Sequence, residues 1–340
     1  MRLASTLALL LAFSLPKHAL AASDYEQCLL DQLDEASSES AETLKQRCKA
    51  PQLQEESVET VTESQLETAD PGPSAVVRRA EAEDKVINNR FVLTPHRPNY
   101  FLPITYNAKP QFIPTLGDDN LIDKEEVHFQ LSVKFAVINN LFDTDAHLMM
   151  AYTTRSFWQA FNSDASAPFR DTNHEPEIFL AAPLDFNLGP VYFQGLQVGI
   201  NHQSNGRSQL LSRSWNRVYA DLVFGIGDLA FSLKPWYRVR EDTKETPFAA
   251  EGDDNPDIEK YLGHFELVSA YSWDKHTFSA MVRNNLRSDN YGALQLNWSF
   301  PMGSRAKGYL YFFDGYGESL LDYNHRNQRL GFGIVLTDWL

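Results

Sequence analysis

The chain has 340 residues, is 43% hydrophobic and carries a formal net charge of −15, with 45 acidic side chains against 30 Lys and Arg. That balance excludes a polyanion binder such as a nucleic-acid-binding protein. Beyond the N-terminus no run reaches the ~18 consecutive apolar residues of a membrane-spanning helix, which excludes a helical membrane bundle. A membrane β-barrel stays open, because its strands alternate apolar with polar residues and the chain is rich in Phe, Tyr and Trp.

Residues 1–21 predict a secretory signal peptide: Arg2, an apolar stretch over 3–15, and Ala19-Leu20-Ala21 as a small-x-small cleavage site before Ala22. Export permits a disulfide between the two cysteines, Cys28 and Cys48. Residues 25–34 and 41–47 read as short helices around a polar turn, giving either a stapled hairpin or two free thiols in a loose tail. Residues 22–84 hold sixteen acids and five bases, a net −11. Most of the acidity therefore belongs to a solvated extension, disordered or helical, assigned to 22–88 and to the periplasm.

From residue 97 onward the signal is alternation with a period of two. Phe129, Leu131, Val133, Phe135 and Val137 alternate with His128, Gln130, Ser132, Lys134 and Ala136. The same pattern recurs at 231–237 and 294–300. Strands are predicted at 97–107, 126–139, 145–158, 175–188, 191–204, 215–226, 228–241, 257–271, 274–286, 291–300, 305–317 and 328–339. Connections after the even strands are short and those after the odd strands mostly long, with 287–290 the exception. Twelve such segments, an even number, with short turns on one side and long loops on the other, predict an all-β, antiparallel transmembrane barrel over 89–340. A soluble β-sandwich fits the signal peptide and the loop alternation less well.

The fifth strand puts Tyr192, Leu196, Val198 and Ile200 on its apolar face, with Gln194 a polar exception. Continuing that parity, His202 and Ser204 emerge on the lipid side near the outer end of the strand. On the sixth strand Asn216 shares parity with Val218, Ala220 and Leu222, and so also points outward. A base, a nucleophile and an amide able to orient the imidazole would make a Ser-His-Asn triad. The bland alternative is a polar rim at headgroup height.

The run Asn201-His202-Gln203-Ser204-Asn205-Gly206-Arg207-Ser208, with Ser212-Arg213-Ser214-Trp215-Asn216-Arg217, resembles the outer-membrane phospholipase A family. So do Lys234-Pro235-Trp236-Tyr237, Asp253-Asp254-Asn255-Pro256-Asp257-Ile258 and Tyr316-Gly317-Glu318-Ser319-Leu320. The likeness spans about residues 89–340. It implies a twelve-stranded barrel in the outer membrane that hydrolyses the sn-1 and sn-2 acyl esters of glycerophospholipids, lysophospholipids included. Ser204 would be the nucleophile, His202 the base and Asn216 the orienting residue, with the Gly206 amide in the oxyanion hole. The resemblance also implies Ca2+ held by the Arg207 carbonyl and Ser212, with Ser166 from a partner subunit. The active form would then be a homodimer, and Asp254 would serve a second calcium position used by the monomer. Two positions depart from the pattern: Gln209 stands where relatives can carry an acid, and Thr154 where a glutamine helps pair the dimer. A catalytically silent, porin-like barrel is the alternative. A soluble α/β-hydrolase is excluded because the chain has no G-x-S-x-G elbow.

Overall fold

The computed structural model describes residues 75–87, 92–111, 122–246, 248–249, 251–303 and 306–339. The chain divides into two units, Met1–Asp70 and Pro71–Leu340, and every described residue lies in the second. The predicted signal peptide and the predicted Cys28–Cys48 hairpin lie outside the described residues.

Twelve long strands follow in chain order: β1 (Asn99–Asn107), β2 (Glu125–Ile138), β3 (His147–Trp158), β4 (Phe169–Leu188), β5 (Val191–Ser204) and β6 (Ser214–Ile226), then β7 (Leu229–Val239), β8 (Phe265–Trp273), β9 (His276–Asn284), β10 (Gly292–Met302), β11 (Ala306–Tyr316) and β12 (Arg326–Thr337). Each pairs antiparallel with its sequence neighbours, and β12 closes on β1. Closure leaves no unpaired strand edge, as a bilayer core requires of any sheet that crosses it. A short bridge at Thr94–Pro95 adds to β2.

The predicted parity holds through most of the barrel. His128, Gln130 and Ser132 are buried inside while Leu131, one position away, is 52% exposed; on β10, Asn297 and Ser299 are buried while Leu294 and Leu296 face out. The connections after β4, β6 and β8 are two residues each, at 189–190, 227–228 and 274–275. Gly189 and Gly227 open the first two with φ of 59° and 56°, the left-handed conformation that tight hairpin turns require. At the opposite end lie the longer loops 159–168, 205–213 and 240–264.

Three local departures have physical causes. Residues 169–174 continue β4 toward the outside, because they pair with β3 as far as Trp158. Residues 258–262 are not strand but a single helical turn. Ile258 and Leu262, spaced i and i+4, point the same way and are almost fully buried, and Gly263 at φ 70° ends the turn. The β5–β6 register shifts between Phe193 and Gly195. The polar exception Gln194 thus sits at a bulge, and Phe193 rather than Tyr192 joins the outer face, stacking on Phe186 at 4.8 Å.

Within the predicted extension, residues Ala75–Ile87 form helix α1. Arg79 donates to the carbonyls of Asp338 (3.1 Å) and Trp339 (2.6 Å), and Glu83 pairs with Lys134 at 2.7 Å. These contacts lie at the short-turn end. We label the turn Ile258–Leu262 α2.

The interior is filled by paired charges. Glu126 is bound by Arg170 at 2.6 Å and Arg329 at 2.7 Å; Arg329 also holds Glu318 at 2.8 Å. A second cluster joins Glu175 to Arg97 and Arg217, and Glu177 to Lys234 and His96. Buried charges are costly unless paired, and each of these carboxylates has at least one cationic partner. A polar cavity of about 60 Å³ remains between Arg97, Tyr100, Arg155, Arg217, Lys234 and Arg283, room for a few waters rather than an open channel.

Candidate active site

The outer end of β5 meets the start of β6 with His202 directly opposite Asn216 and Ser204 opposite Ser214. Their inward neighbours fix the facing. Asn201, Trp215 and Arg217 are buried in the barrel, so the alternate residues 202, 204 and 216 must point out. The predicted triad residues therefore share one outer patch. His202 Nδ1 lies 2.8 Å from Asn216 Oδ1. An amide oxygen only accepts, so Nδ1 carries the proton and Nε2 keeps its lone pair. Asn216 uses its other amide atom as well, donating from Nδ2 to Glu241 Oε1 at 2.8 Å.

One further side chain borders Ser204. His174 on β4 is its cross-strand partner, and Tyr152 Oη sits 2.6 Å from His174 Nδ1. The His174 ring edge comes within 3.9 Å of where a Cβ on Gly206 would stand. Sequence reading missed His174 and Glu241. His174 carries the outward parity of Ile178 and Leu180 and could have been found that way; Glu241 lies in a loop and carried no periodic signal.

The 205–213 loop is built on one buried amide. Asn205 Nδ2 donates to the Leu211 carbonyl at 2.8 Å, while its Oδ1 accepts from the amides of Arg207 and Arg213. Gly206 takes φ 62°, a conformation that costs a residue with a Cβ about 1 kcal/mol. The Arg207 side chain donates to the carbonyls of Phe169 and Arg170, tying the loop to the start of β4.

Of the residues expected to hold calcium, Ser212 and Asp254 are hydrogen-bonded to each other. The Arg207 carbonyl accepts no hydrogen bond among the described residues, and with the Ser212 hydroxyl it offers the hard oxygen donors calcium prefers. Ser166 is exposed on the 159–168 loop with φ 59°, and among the described residues it makes no hydrogen bond to Ser212 or Asp254. Asp254 accepts from Ser212 Oγ at 2.9 Å and Ser214 Oγ at 3.1 Å, and its other oxygen pairs with the Lys244 ammonium. The chain thus supplies its own cation to this carboxylate. Among the described residues no group of three or more His, Cys, Asp or Glu is placed to hold a metal, so an oxygen site here rests on carbonyls and hydroxyls.

The family model of phospholipase A1 matches residues 76–336. Phospholipase A1 of Klebsiella pneumoniae is 37% identical over 252 residues, which are 74% of this chain and 84% of that protein. An active-site mutant of the Escherichia coli outer membrane phospholipase A superposes with a TM-score of 0.68 at 35% identity, over 74% of this chain and 95% of the other. The Salmonella typhi outer membrane phospholipase, solved as a dimer with bound calcium, gives 0.67 at 36% identity, over 74% and 94% of the two chains. This chain belongs to the phospholipase A1 family and is a β-barrel ester hydrolase of the outer membrane.

Proposed function

We propose that this enzyme hydrolyses the sn-1 and sn-2 acyl esters of glycerophospholipids and lysophospholipids by a Ser-His-Asn mechanism, depends on calcium, and is activated by dimerisation. The single observation that carries the reading is the outward His202–Asn216 pair beside Ser204 at the membrane-facing surface of the barrel. A substrate held in the bilayer meets that surface laterally and never has to enter the filled interior.

In this mechanism Ser204 Oγ attacks the ester carbonyl while His202 Nε2 accepts its proton. Asn216 Oδ1 holds the imidazole in the Nδ1–H form and accepts a stronger hydrogen bond from the imidazolium. The Gly206 amide, turned by its positive φ, donates to the developing oxyanion. His202 then returns the proton to the leaving glycerol oxygen. Water enters by the same base to release the fatty acid. Calcium would be held by the Arg207 carbonyl, Ser212 and Ser166 of the partner subunit, and when bound it supplies a fixed positive charge beside the oxyanion. Ser166's exposure on a loop apart from Ser212 supports its acting across an interface rather than within one chain. The dimeric, calcium-bound relative from Salmonella typhi supports the same reading.

The test is fatty-acid release from phospholipid in mixed micelles by purified protein, with calcium and with chelator. Activity that disappears with Ser204→Ala and falls with chelator supports the mechanism. Unchanged release by Ser204→Ala removes it.

A further inference from the structure

We propose that Glu241 is a positioning residue for the hydrolytic centre, holding the Asn216 amide in the one orientation that leaves His202 able to act as a base. The inference rests on the Ser-His-Asn reading above and adds a fourth member to it.

A side-chain amide is two-faced. Turned by a half-rotation, Asn216 would present Nδ2 to His202 Nδ1. The imidazole would then have to accept at Nδ1 and carry its proton at Nε2, where it could not receive one from Ser204. Nothing in Asn216 itself forbids that turn. Glu241 does, because an ionised carboxylate only accepts: with Oε1 2.8 Å from Nδ2, it leaves Oδ1 as the atom facing the ring, at 2.8 Å. The order acceptor, donor, acceptor, donor then runs without conflict from Glu241 through Asn216 to His202.

Glu241 is exposed, yet its backbone is held on both sides. On one side β7 pairs Val239 with Asn216 itself. On the other, Thr243 bridges to Asp253, the Asp253 amide donates to the Asp242 carbonyl at 2.8 Å, and Lys244 pairs with Asp254. Gly252 permits that approach: its φ is 100°, and a Cβ there would stand 2.9 Å from both the Asp242 carbonyl oxygen and the Lys244 amide nitrogen. Glu241 thus projects from an anchored segment.

The arrangement also gives a reason for an amide at position 216. A carboxylate there would meet Glu241 as a like charge within hydrogen-bond distance, a contact that forces one of the two to take up a proton. With Asn216 between Glu241 and His202, the negative charge sits one residue further from the ring, on an exposed side chain. It still lies on the side of the imidazolium that forms when Ser204 gives up its proton.

The test uses full-length protein in detergent micelles with calcium and measures kcat and KM for fatty-acid release. Glu241→Ala is expected to lower kcat about 5- to 10-fold with KM little changed, the size of one lost charge-assisted hydrogen bond acting through another. Glu241→Gln, which can still accept from Nδ2, should recover most of that loss. Glu241→Lys, which can only donate, should turn the amide and cost at least as much as Asn216→Ala. In an Asn216→Ala background, Glu241→Ala should have no further effect, since the path through the amide is already gone. An unchanged kcat for Glu241→Ala, or an equal loss in both backgrounds, overturns the proposal. Full activity in Ser204→Ala would instead overturn the reading beneath it, so the two failures are told apart.

Discussion

Asn216→Ala probes the proposed triad at its weakest-looking member. The substitution removes the 2.8 Å contact to His202 and leaves the strand pairing of β5 and β6 in place. In the resting enzyme the lost bond is neutral and partly open to solvent, worth about 1 kcal/mol, whereas its counterpart to an imidazolium is worth about 1.5 to 3 kcal/mol. Only the difference, about 0.5 to 2 kcal/mol, appears in kcat, which predicts a fall of about 2- to 30-fold at unchanged KM. Ser204→Ala, by contrast, removes the attacking atom and should leave only background release. Fatty-acid release from mixed micelles, titrated in substrate, separates kcat from KM. A change in kcat of less than about 2-fold, too small for any charge-assisted bond, would refute the orienting role.

Two other substitutions test features of the fold beyond the triad. Lys244→Ala frees the Asp254 carboxylate beside Ser212 and Ser214, and calorimetric titration should show calcium binding at least about 10-fold tighter, because the metal no longer competes with an internal ammonium. Unaltered affinity would mean that Asp254 takes no part. Glu126→Ala strips the shared partner from Arg170 and Arg329 inside the barrel, and should cost about 3 to 5 kcal/mol in denaturant unfolding monitored by tryptophan fluorescence. A loss below about 1 kcal/mol would show that the interior charges re-pair without it.

The barrel and the outward facing of His202, Ser204 and Asn216 were legible in the sequence because all of these rest on a period of two. Once Val198 and Ile200 were placed outside, His202 and Ser204 had to follow, and Asn216 followed from Val218 by the same rule. Alternation fails where the backbone departs from it. The bulge at Gln194 shifts the register, and its one advance sign was a polar residue on an apolar face. Ile258 and Leu262 read as strand residues because a single helical turn is too short to establish its own period. Contacts between loops are a different matter. Asn216 and Glu241 are 25 residues apart, Ser212 and Asp254 are 42 apart, and Arg170 and Asp322 are 152 apart. Nothing in local patterning pairs such residues; they meet because barrel closure and loop docking bring them together.

The central claim is that Ser204 is the nucleophile. Its most direct test is labelling of the purified protein with an aryl sulfonyl fluoride in the presence of calcium and again with chelator, followed by mass-spectrometric location of the adduct. The account predicts one modified serine, Ser204, with labelling and loss of hydrolysis advancing together and both slowed by chelator. An adduct on any other serine, or labelling of Ser204 that leaves hydrolysis intact, would contradict it.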